Sequence, residues 1–289
     1  MSESANFFML VDKPVGITSQ GCLTVLKRRF GFKKIGHHGT LDPFANGLLL
    51  VGVNEATKFF QFINDEAKTY RATIKLGVRT DTLDGTGVVL EESGIPTLTE
   101  AKILGAMAAL TGDILQTPPM YSAVKIAGKK LYELARAGET VERQARTVNI
   151  FHWQLISFDQ TTIVTDVTVS RGTYIRVLAE QLAEKLGTMA HLTALRRLSL
   201  CGLDESFAQP FAAQIIEDEK KIQPVRLIAA GAHFDLTEHQ FEDLRHGRVT
   251  LAESDVDHAC VSLAYQGQFF GVGILKKRHL SPLRLCHHY

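Results

Sequence analysis

The chain has 289 residues, of which 45% are hydrophobic and 22% are charged. These proportions are typical of globular proteins, and they exclude disordered, collagen-like and small disulfide-stabilised classes. Lys and Arg total 32 against 31 Asp and Glu, so the formal net charge of +1 neither supports nor excludes a polyanionic partner.

The first half of the chain combines short strands with two helices. Its apolar patterns and turn residues predict, in chain order, a strand at residues 6–12, a helix at 19–30, a loop at 35–47, a strand at 48–53, a helix at 54–63, and strands at 68–76 and 87–90. Thr18 or Ser19 caps the first helix, and Gly31 ends it. The Lys and Arg residues at the end of that helix either complement its dipole or bind phosphate.

The second half is predicted to hold four helices among its strands. In chain order these elements are a helix between Thr97 and Gly112, a strand at 120–126, a helix at 130–137, strands from 146 and at 163–169, a helix at 175–186, a strand at 190–200, a helix at 238–245, and strands at 260–265, 269–275 and 280–285. Thr97 and Glu100 form a capping box. Helices that interrupt many strands without strict alternation indicate an α+β fold, with a mixed, mostly antiparallel sheet and flanking helices.

Two domains are predicted, at residues 1–232 and 233–289. The length favours two domains, and the periodic pattern weakens between residues 209 and 231. The second domain is near the lower size limit for independent folding, so we expect it to pack against the first.

Cysteine usage and hydropathy favour a cytoplasmic protein. The four cysteines are far apart and form no Cys-x-x-Cys pair, which favours reduced thiols over a zinc site. No basic leader precedes the short apolar run at residues 7–11. The longest uncharged stretch, 259–275, is broken by serine, glutamine and glycine, so we expect no membrane span.

The glycine-rich loop at residues 36–47 holds a single carboxylate, Asp42. Pro43 biases Asp42 toward an extended conformation, and the glycines let a planar group or a phosphate approach the backbone. These features suit a catalytic carboxylate, and the alternative is a plain turn at the Asp42-Pro43 pair.

Several common catalytic motifs are missing from the sequence. It has no glycine-rich phosphate loop, no dinucleotide fingerprint and no His-Glu-x-x-His, so nucleotide-driven and zinc-hydrolase functions lose their main support. The pairs His37-His38 and His287-His288 lack a carboxylate at ligand spacing, and we expect no metal site.

Six segments together form an ordered set of motifs. They are Asp12-Lys-Pro-Val-Gly-Ile-Thr-Ser19, Gly36-His-His-Gly-Thr-Leu-Asp-Pro-Phe-Ala-Asn-Gly-Leu-Leu-Leu-Val51, Lys68-Thr-Tyr70 with Leu76-Gly77 and Thr80-Asp-Thr-Leu-Asp84, Gln116-Thr-Pro-Pro-Met-Tyr-Ser-Ala-Val-Lys125, Ser170-Arg-Gly-Thr-Tyr-Ile-Arg176, and Leu195-Arg-Arg-Leu198. In this order they resemble the TruB family, the bacterial-type tRNA pseudouridine-55 synthases. The resemblance covers residues 10 to about 200. His38, Phe44 and Asn46 depart from the commonest family residues, which we interpret as tolerated variation.

The resemblance implies an isomerase that converts a uridine in the T-loop of tRNA, at position 55, to pseudouridine. It implies the pseudouridine synthase fold, no cofactor, no metal, and a monomer without an obligate protein partner. The N-glycosidic bond must break, the base must turn while it is held, and C5 must rejoin C1′, which calls for a carboxylate. Asp42 fills the family's catalytic position. Attack at C1′, addition to the base and removal of a sugar proton all stay open as its role.

The resemblance also implies roles for further residues. Arg176 is the expected ionic partner of Asp42, and Tyr70 is expected to stack on the flipped base and is a candidate for proton transfer at C5. Other residues are expected to contact RNA: Tyr174 and Leu195 in the pocket, His37 in extruding the nucleotide, and Lys13, Lys125 and the basic residues at 27–34, 125–130 and 196–197 at phosphates. Residues 124–150 correspond to an insertion that closes over RNA, and 233–289 to a small PUA-like RNA-binding domain.

Two alternative functions belong to other classes. One is a non-catalytic RNA-binding or tRNA-folding protein on the same scaffold, for which Asp42, Tyr70 and Arg176 would be dispensable. The other is a nucleoside glycosidase, which would need a second carboxylate as acid, and the sequence identifies none.

Overall fold

The structure is a computed structural model that describes residues 6–126 and 128–286. Its strands, numbered along the chain, are β1 (Phe7–Lys13), β2 (Ile35–His38), β3 (Asn46–Val53), β4 (Ala67–Leu76), β5 (Val78–Thr80), β6 (Val89–Glu92), β7 (Gly112–Gln116), β8 (Lys125–Ile126), β9 (Lys129–Lys130), β10 (Arg146–Phe158), β11 (Thr162–Ser170), β12 (Ala190–Leu200), β13 (Leu203–Asp204), β14 (Ala208–Pro210), β15 (Ala232–Asp235), β16 (Thr250–Leu251), β17 (His258–Tyr265), β18 (Gln268–Lys276) and β19 (His279–Leu285). Its α-helices are α1 (Ser19–Phe30), α2 (Glu100–Ala108), α3 (Leu131–Arg136), α4 (Ile175–Leu186) and α5 (Glu238–Arg245). Short 3-10 helices span Asn54–Phe62, Glu205–Phe207, Asp218–Lys220 and Pro224–Arg226.

Ten strands form a mixed sheet, in the order β14-β1-β3-β12-β4-β11-β10-β7 with β2 beside β3 and β13 beside β12. β1 runs parallel to β14, and β3 runs parallel to β12. The other paired neighbours in this sheet are antiparallel. The predicted α+β class with a mixed, mostly antiparallel sheet is therefore confirmed.

Both faces of the sheet are covered around β1 and β3. Along β1, Phe8 and Leu10 share a core with the 3-10 helix at Asn54–Phe62, whereas Phe7 and Met9 pack beneath α1. Because side chains alternate along a strand, this double burial explains the continuous apolar runs in both strands. On the other half of the sheet, α2 and α4 cover β4, β11 and β12.

A second sheet follows in the order β15-β17-β18-β19-β16, and α5 packs on it. Val272 and Cys286 belong to the same buried cluster as Phe59, which lies in the 3-10 helix at Asn54–Phe62, and the rings of Phe59 and Phe269 lie 4.9 Å apart, edge to face. The C-terminal region therefore packs against the first predicted domain, as expected. The domain boundary near residue 232 stays a prediction. Among the described residues, no helix is both long enough and apolar enough to cross a membrane. The pair His287-His288 lies outside the described residues.

Local capping signals predicted the helix ends well. Thr18 caps α1 by accepting a hydrogen bond from the Gly21 amide, and Gly31 ends the helix with φ of 68°. Thr237 and Gln240 form a capping box at α5. The β12 strand covers the predicted residues 190–200.

The capping box predicted at Thr97 is wrong, because α2 starts at Glu100 and is capped by Thr99, whose side chain accepts from the Lys102 amide. Leu98 is buried in the core and its amide donates to Gln160 Oε1, which keeps the chain extended up to that point.

Two further predictions around the site need correction. The predicted loop at 35–47 begins as β2, because its residues pair with β3. The predicted strand at 120–126 shrinks to β8, because the carbonyls of Tyr121 and Ser122 accept hydrogen bonds from Arg176 and from the Tyr132 amide instead of a neighbouring strand. The strand β7 was not predicted at all.

Candidate active site

A pocket of about 410 Å³ opens where β2, β4 and β12 meet the N-terminus of α4. The residues around it come from loops and strands that are far apart in the sequence. Six of the predicted site residues line it: His37, Asp42, Tyr70, Tyr174, Arg176 and Leu195. Lys13 and Lys125 are not among the described residues that line it.

Asp42 and Arg176 form an ion pair in this pocket. Arg176 Nε lies 3.0 Å from Asp42 Oδ2. The Arg176 side chain is 4% exposed, whereas the Asp42 side chain is 36% exposed, so the carboxylate faces the opening and the guanidinium lies behind it. The predicted partnership of these two residues, 134 positions apart, is thus present in the fold.

Arg176 is held in place by backbone oxygens. Its Nη1 donates to the Thr82 carbonyl at 2.7 Å and its Nη2 donates to the Tyr121 carbonyl at 2.8 Å. Asp84, also buried, lies 3.7 Å from Nη1. Each nitrogen of the guanidinium therefore has a partner, and Nε makes the contact with Asp42.

The loop that carries Asp42 is clamped by the start of α1. Ser19 Oγ donates to the Leu41 carbonyl at 3.0 Å and accepts from the Leu41 amide at 2.9 Å. The Gly16 amide donates to the Pro43 carbonyl at 2.8 Å. The motif that ends at Ser19 thus fixes the backbone on both sides of Asp42.

The environment of Asp42 changes its acidity. Burial raises the pKa of Asp42 and the negative charge of Asp84 adds to the rise, while Arg176 and Lys13 oppose it. Burial is the largest of these effects, so the pKa of Asp42 lies above its ordinary value. A carboxyl group with a raised pKa is a stronger base and a stronger nucleophile once it is ionised. Arg176 helps to keep Asp42 ionised.

Arg197 is a site residue whose role sequence reasoning missed. It is fully buried, and it donates to the Leu48 carbonyl at 2.6 Å and the Gly39 carbonyl at 2.8 Å. Its Nη1 lies 3.5 Å from the Tyr70 hydroxyl. Arg197 therefore ties together the catalytic loop, β3 and Tyr70, and no carboxylate among the described residues pairs with it.

The burial of Arg197 contradicts its expected contact with phosphate, whereas the contact of Arg196, which is partly exposed, stays a prediction. Arg197 is buried, and Arg196 is paired with Asp12 at 2.9 Å and with Glu205 at 2.6 Å. Alternation along β12 was the available signal, because two neighbours on one strand cannot both face the same surface.

The predicted contact of Lys13 with an RNA phosphate also needs correction. It is fully buried, and its Nζ donates to the carbonyls of Pro14 at 3.0 Å and Ile17 at 2.8 Å. Burial lowers the pKa of Lys13 to about 8, although Cys22 and Asp42 oppose the shift. Its position suits support of the loop beneath the pocket and not contact with a phosphate. Lys125, by contrast, is exposed on the β8–β9 hairpin.

His37 and Tyr174 line the pocket from β2 and from the N-cap of α4, respectively. Burial lowers the pKa of His37, and the charge of Arg197 lowers it further, so the ring is neutral at pH 7. The Tyr174 amide donates to Gln116 Oε1 at 3.0 Å, and the guanidinium of Arg146 lies 5.2 Å from the centre of the Tyr174 ring. Arg171, exposed beside them at the pocket, is a second basic residue that sequence reasoning missed.

His38 has a carboxylate neighbour that the sequence spacing did not reveal. Its Nε2 lies 2.8 Å from Asp65 Oδ2, which also accepts from Lys68 Nζ at 2.7 Å. Burial would raise the pKa of Asp65, but the hydrogen bonds from His38 and Lys68 outweigh it and lower the pKa to about 2.

Cys201 completes a trio with His38 and Asp65 whose donor atoms lie within 4.8 Å of one another. This donor set does not fit a metal ion well. The Lys68 ammonium already occupies Asp65, and burial raises the pKa of the Cys201 thiol to about 12, which opposes the thiolate that a metal needs.

The chain is similar to known proteins over most of the region that forms the pocket. The model of the TruB family pseudouridylate synthase N-terminal domain matches residues 27–175. The chain is 38% identical to a tRNA pseudouridine synthase B from Marinomonas sp. (strain MWYL1), over 98% of this chain and 95% of that protein. It is 51% identical to a tRNA pseudouridine synthase B from Burkholderia pseudomallei (strain 668), but that match spans only 65% of this chain and 62% of the relative.

Solved structures share the fold at low sequence identity. One chain of a Cbf5–Nop10–Gar1 complex superposes with a TM-score of 0.70 at 21% identity, covering 96% of this chain and 84% of that one. A chain of an H/ACA ribonucleoprotein bound to a substrate RNA superposes with a TM-score of 0.70 at 18% identity, covering 98% and 86% of the two chains. At identities this low, the similarity shows only that the chains share an architecture.

Proposed function

Since the chain belongs to the TruB family of pseudouridylate synthases, we propose that it converts a uridine of tRNA to pseudouridine, at position 55 in the T-loop. The observation that carries this proposal is the Asp42–Arg176 ion pair at the opening of the pocket. Relatives that align over nearly the whole chain bear the name tRNA pseudouridine synthase B, which supports tRNA as the substrate.

The reaction needs only groups that the pocket offers. One bond, from N1 to C1′, breaks, a new bond joins C5 to C1′, and the proton on C5 is lost while N1 gains one. The product is an isomer of the substrate, so no oxidant, reductant or group donor is consumed, and we propose that no cofactor takes part. Asp42 supplies the anionic oxygen, by attack at C1′, by addition to the base or by removal of a sugar proton.

Tyr70, Leu195 and Tyr174 supply the walls of the pocket for the flipped base. Tyr70 and Leu195 are largely buried on β4 and β12, so their position is set by the sheet and not by a mobile loop. Flipping a nucleotide costs a few kcal/mol, and a planar side chain that fills the vacated space offsets part of that cost. His37, which lines the pocket and is neutral, can do this without the desolvation of a charge.

We propose that the protein residues outside the pocket contact the T-arm of the tRNA. Residues 124–150 carry the exposed hairpin with Lys125, and residues 233–289 form the small β-rich region that we propose as a PUA-like RNA-binding domain. We further propose that the enzyme acts in the cytoplasm as a monomer without an obligate protein partner. The described cysteines are all free, which is consistent with a reducing compartment.

Incubation of the protein with unmodified tRNA, followed by mapping of pseudouridine, tests the proposal. A tRNA with cytidine at position 55 is the matched control. Formation of pseudouridine at that single position supports the proposal, and tight binding without any product would favour the non-catalytic RNA-binding function. Light scattering of the protein alone and with tRNA tests the monomer.

A further inference from the structure

Ser122 has a buried hydroxyl that no protein group satisfies. The residue is 5% exposed and lines the pocket beside Asp42 and Arg176. Its Oγ has no hydrogen-bond partner within residues 6–126 and 128–286. Buried hydroxyls are almost always paired, because an unpaired one loses its hydrogen bonds to water and gains nothing in return.

A buried hydroxyl elsewhere in the fold shows the ordinary pattern. Thr165 on β11 is 1% exposed, and its Oγ1 donates to the Gln154 carbonyl at 2.6 Å. Six other buried side-chain nitrogen or oxygen atoms in the described residues also lack a hydrogen-bond partner, but Ser122 Oγ is the one hydroxyl among them and it lines the pocket.

The backbone around Ser122 is firmly held. The carbonyl of Tyr121 accepts from Arg176, the carbonyl of Ser122 accepts from the Tyr132 amide at 3.1 Å, and the Ser122 amide donates to the Met120 carbonyl at 2.9 Å. Only the side-chain torsion is left to redirect the hydroxyl, and a serine side chain turns about a single bond. The hydroxyl is thus kept at the pocket wall, one hydrogen-bonded residue away from the Asp42–Arg176 pair.

We propose that the Ser122 hydroxyl donates a hydrogen bond to an oxygen of the target uridine once that nucleotide has entered the pocket. The inference rests on the proposed function, because it takes the flipped uridine as the occupant. A uridine presents three suitable acceptors, O2 and O4 of the base and the ribose 2′ oxygen. The bond makes Ser122 a binding residue for the flipped nucleotide, and its absence in the free protein explains the unsatisfied hydroxyl.

The test compares Ser122→Ala with Thr165→Val in the full-length protein. Ser122→Ala is expected to lower kcat/KM for tRNA by about 3- to 10-fold, the effect of one neutral hydrogen bond, without lowering the melting temperature. Thr165→Val removes a paired hydroxyl away from the pocket, so it is expected to lower the melting temperature and to leave kcat/KM unchanged. Unchanged kcat/KM in Ser122→Ala, or a loss that merely accompanies a lower melting temperature, overturns the proposal.

Substrates with one altered oxygen identify the acceptor. Wild type and Ser122→Ala are compared on tRNAs that carry 2-thiouridine, 4-thiouridine or 2′-deoxyuridine at the target position. The penalty for Ser122→Ala is expected to shrink with the one analogue whose altered atom accepts the bond, and a penalty that is equal with all three overturns direct contact. If the wild type itself forms no pseudouridine from ordinary tRNA, the proposed function fails; if it does and Ser122→Ala matches it, only the role of Ser122 fails.

Discussion

Ser19, the first residue of α1, both donates to and accepts from the backbone of Leu41, the residue that precedes Asp42. One hydroxyl thus satisfies two buried peptide groups in a loop that has no regular secondary structure at that point. The position of the carboxylate consequently depends on a helix that lies outside the pocket.

Ser19→Ala is expected to lower both stability and activity. It leaves the amide and the carbonyl of Leu41 buried without a partner, at a cost of about 1–3 kcal/mol in the free energy of unfolding. Denaturant unfolding measures this cost, and a single-turnover assay measures the loss of catalysis. Thr24→Ala on the exposed side of the same helix is the control and should change neither value; equal behaviour of the two variants would contradict the clamp.

Asp42→Asn is expected to abolish isomerisation while tRNA affinity stays nearly intact. The amide keeps the shape of the side chain and removes the charge and the second acceptor oxygen. Loss of an acting nucleophile costs up to the order of a millionfold in rate, whereas binding is spread over many contacts. Filter binding and single-turnover kinetics separate the two effects, with mass spectrometry to exclude hydrolysis back to Asp. Substantial product from the intact amide would refute a role for the carboxylate in the chemistry.

The acid side of the pH–rate profile is expected to follow Asp42. Its pKa is raised, so protonation, and with it loss of activity, sets in at a higher pH than for an ordinary aspartate as the pH falls. Arg176 opposes this rise, whereas burial and Asp84 cause it, so Arg176→Gln should move the acid limb to still higher pH. Single-turnover rates across the acidic range measure the limb. Arg71→Gln, which removes an exposed pair with Asp166, should leave the limb in place.

Arg197 and Arg196 are adjacent on β12 and are expected to respond very differently to substitution. Arg197→Met leaves the carbonyls of Gly39 and Leu48 without their donor and should destabilise the protein by about 2–4 kcal/mol. Arg196→Gln breaks a partly exposed network with Asp12 and Glu205, worth less than about 1 kcal/mol. Denaturant unfolding of both variants checks the contrast, and comparable losses would mean that the burial of Arg197 is not what matters.

Affinity for tRNA is expected to fall with salt, because Lys and Arg displace counterions from phosphates. If exposed Lys125 contacts the single-stranded loop, Lys125→Gln should reduce the log–log salt slope by about 0.7. Lys13→Met should leave the slope unchanged in a folded protein, since this lysine is fully buried. Binding titrations at several salt concentrations measure both slopes. A shallower slope for Lys13→Met would mean that Lys13 does contact the RNA.

Sequence reasoning was most successful where the signal was local. The caps at Thr18 and Gly31 depend on residues within one helical turn, and both are present. Strand β2 was missed because its pairing with β3 is a matter of register, which no short pattern in residues 35–38 reveals.

Charge was where local reasoning failed. Lys13 and Arg197 were interpreted as phosphate contacts because they are basic and lie near the motifs, yet both are fully buried. The contact of His38 with Asp65 joins residues 27 positions apart, and only the packing of β2 against the chain before β4 brings them together. The Asp42–Arg176 pair was found only through the family resemblance, since nothing in the local pattern around Arg176 distinguishes it from a surface arginine.

The ring contact between Phe59 and Phe269 has a consequence for how the protein unfolds. The residues around it, which include Val272 and Cys286 from the C-terminal sheet, form one buried cluster with the first sheet, so the two halves share part of their core in addition to the clusters that each holds by itself. Separating the halves would expose apolar surface on both, and we expect that energetic penalty to couple their unfolding. Removal of the C-terminal region is therefore expected to expose Phe59 and its neighbours and to lower the stability of the part that remains.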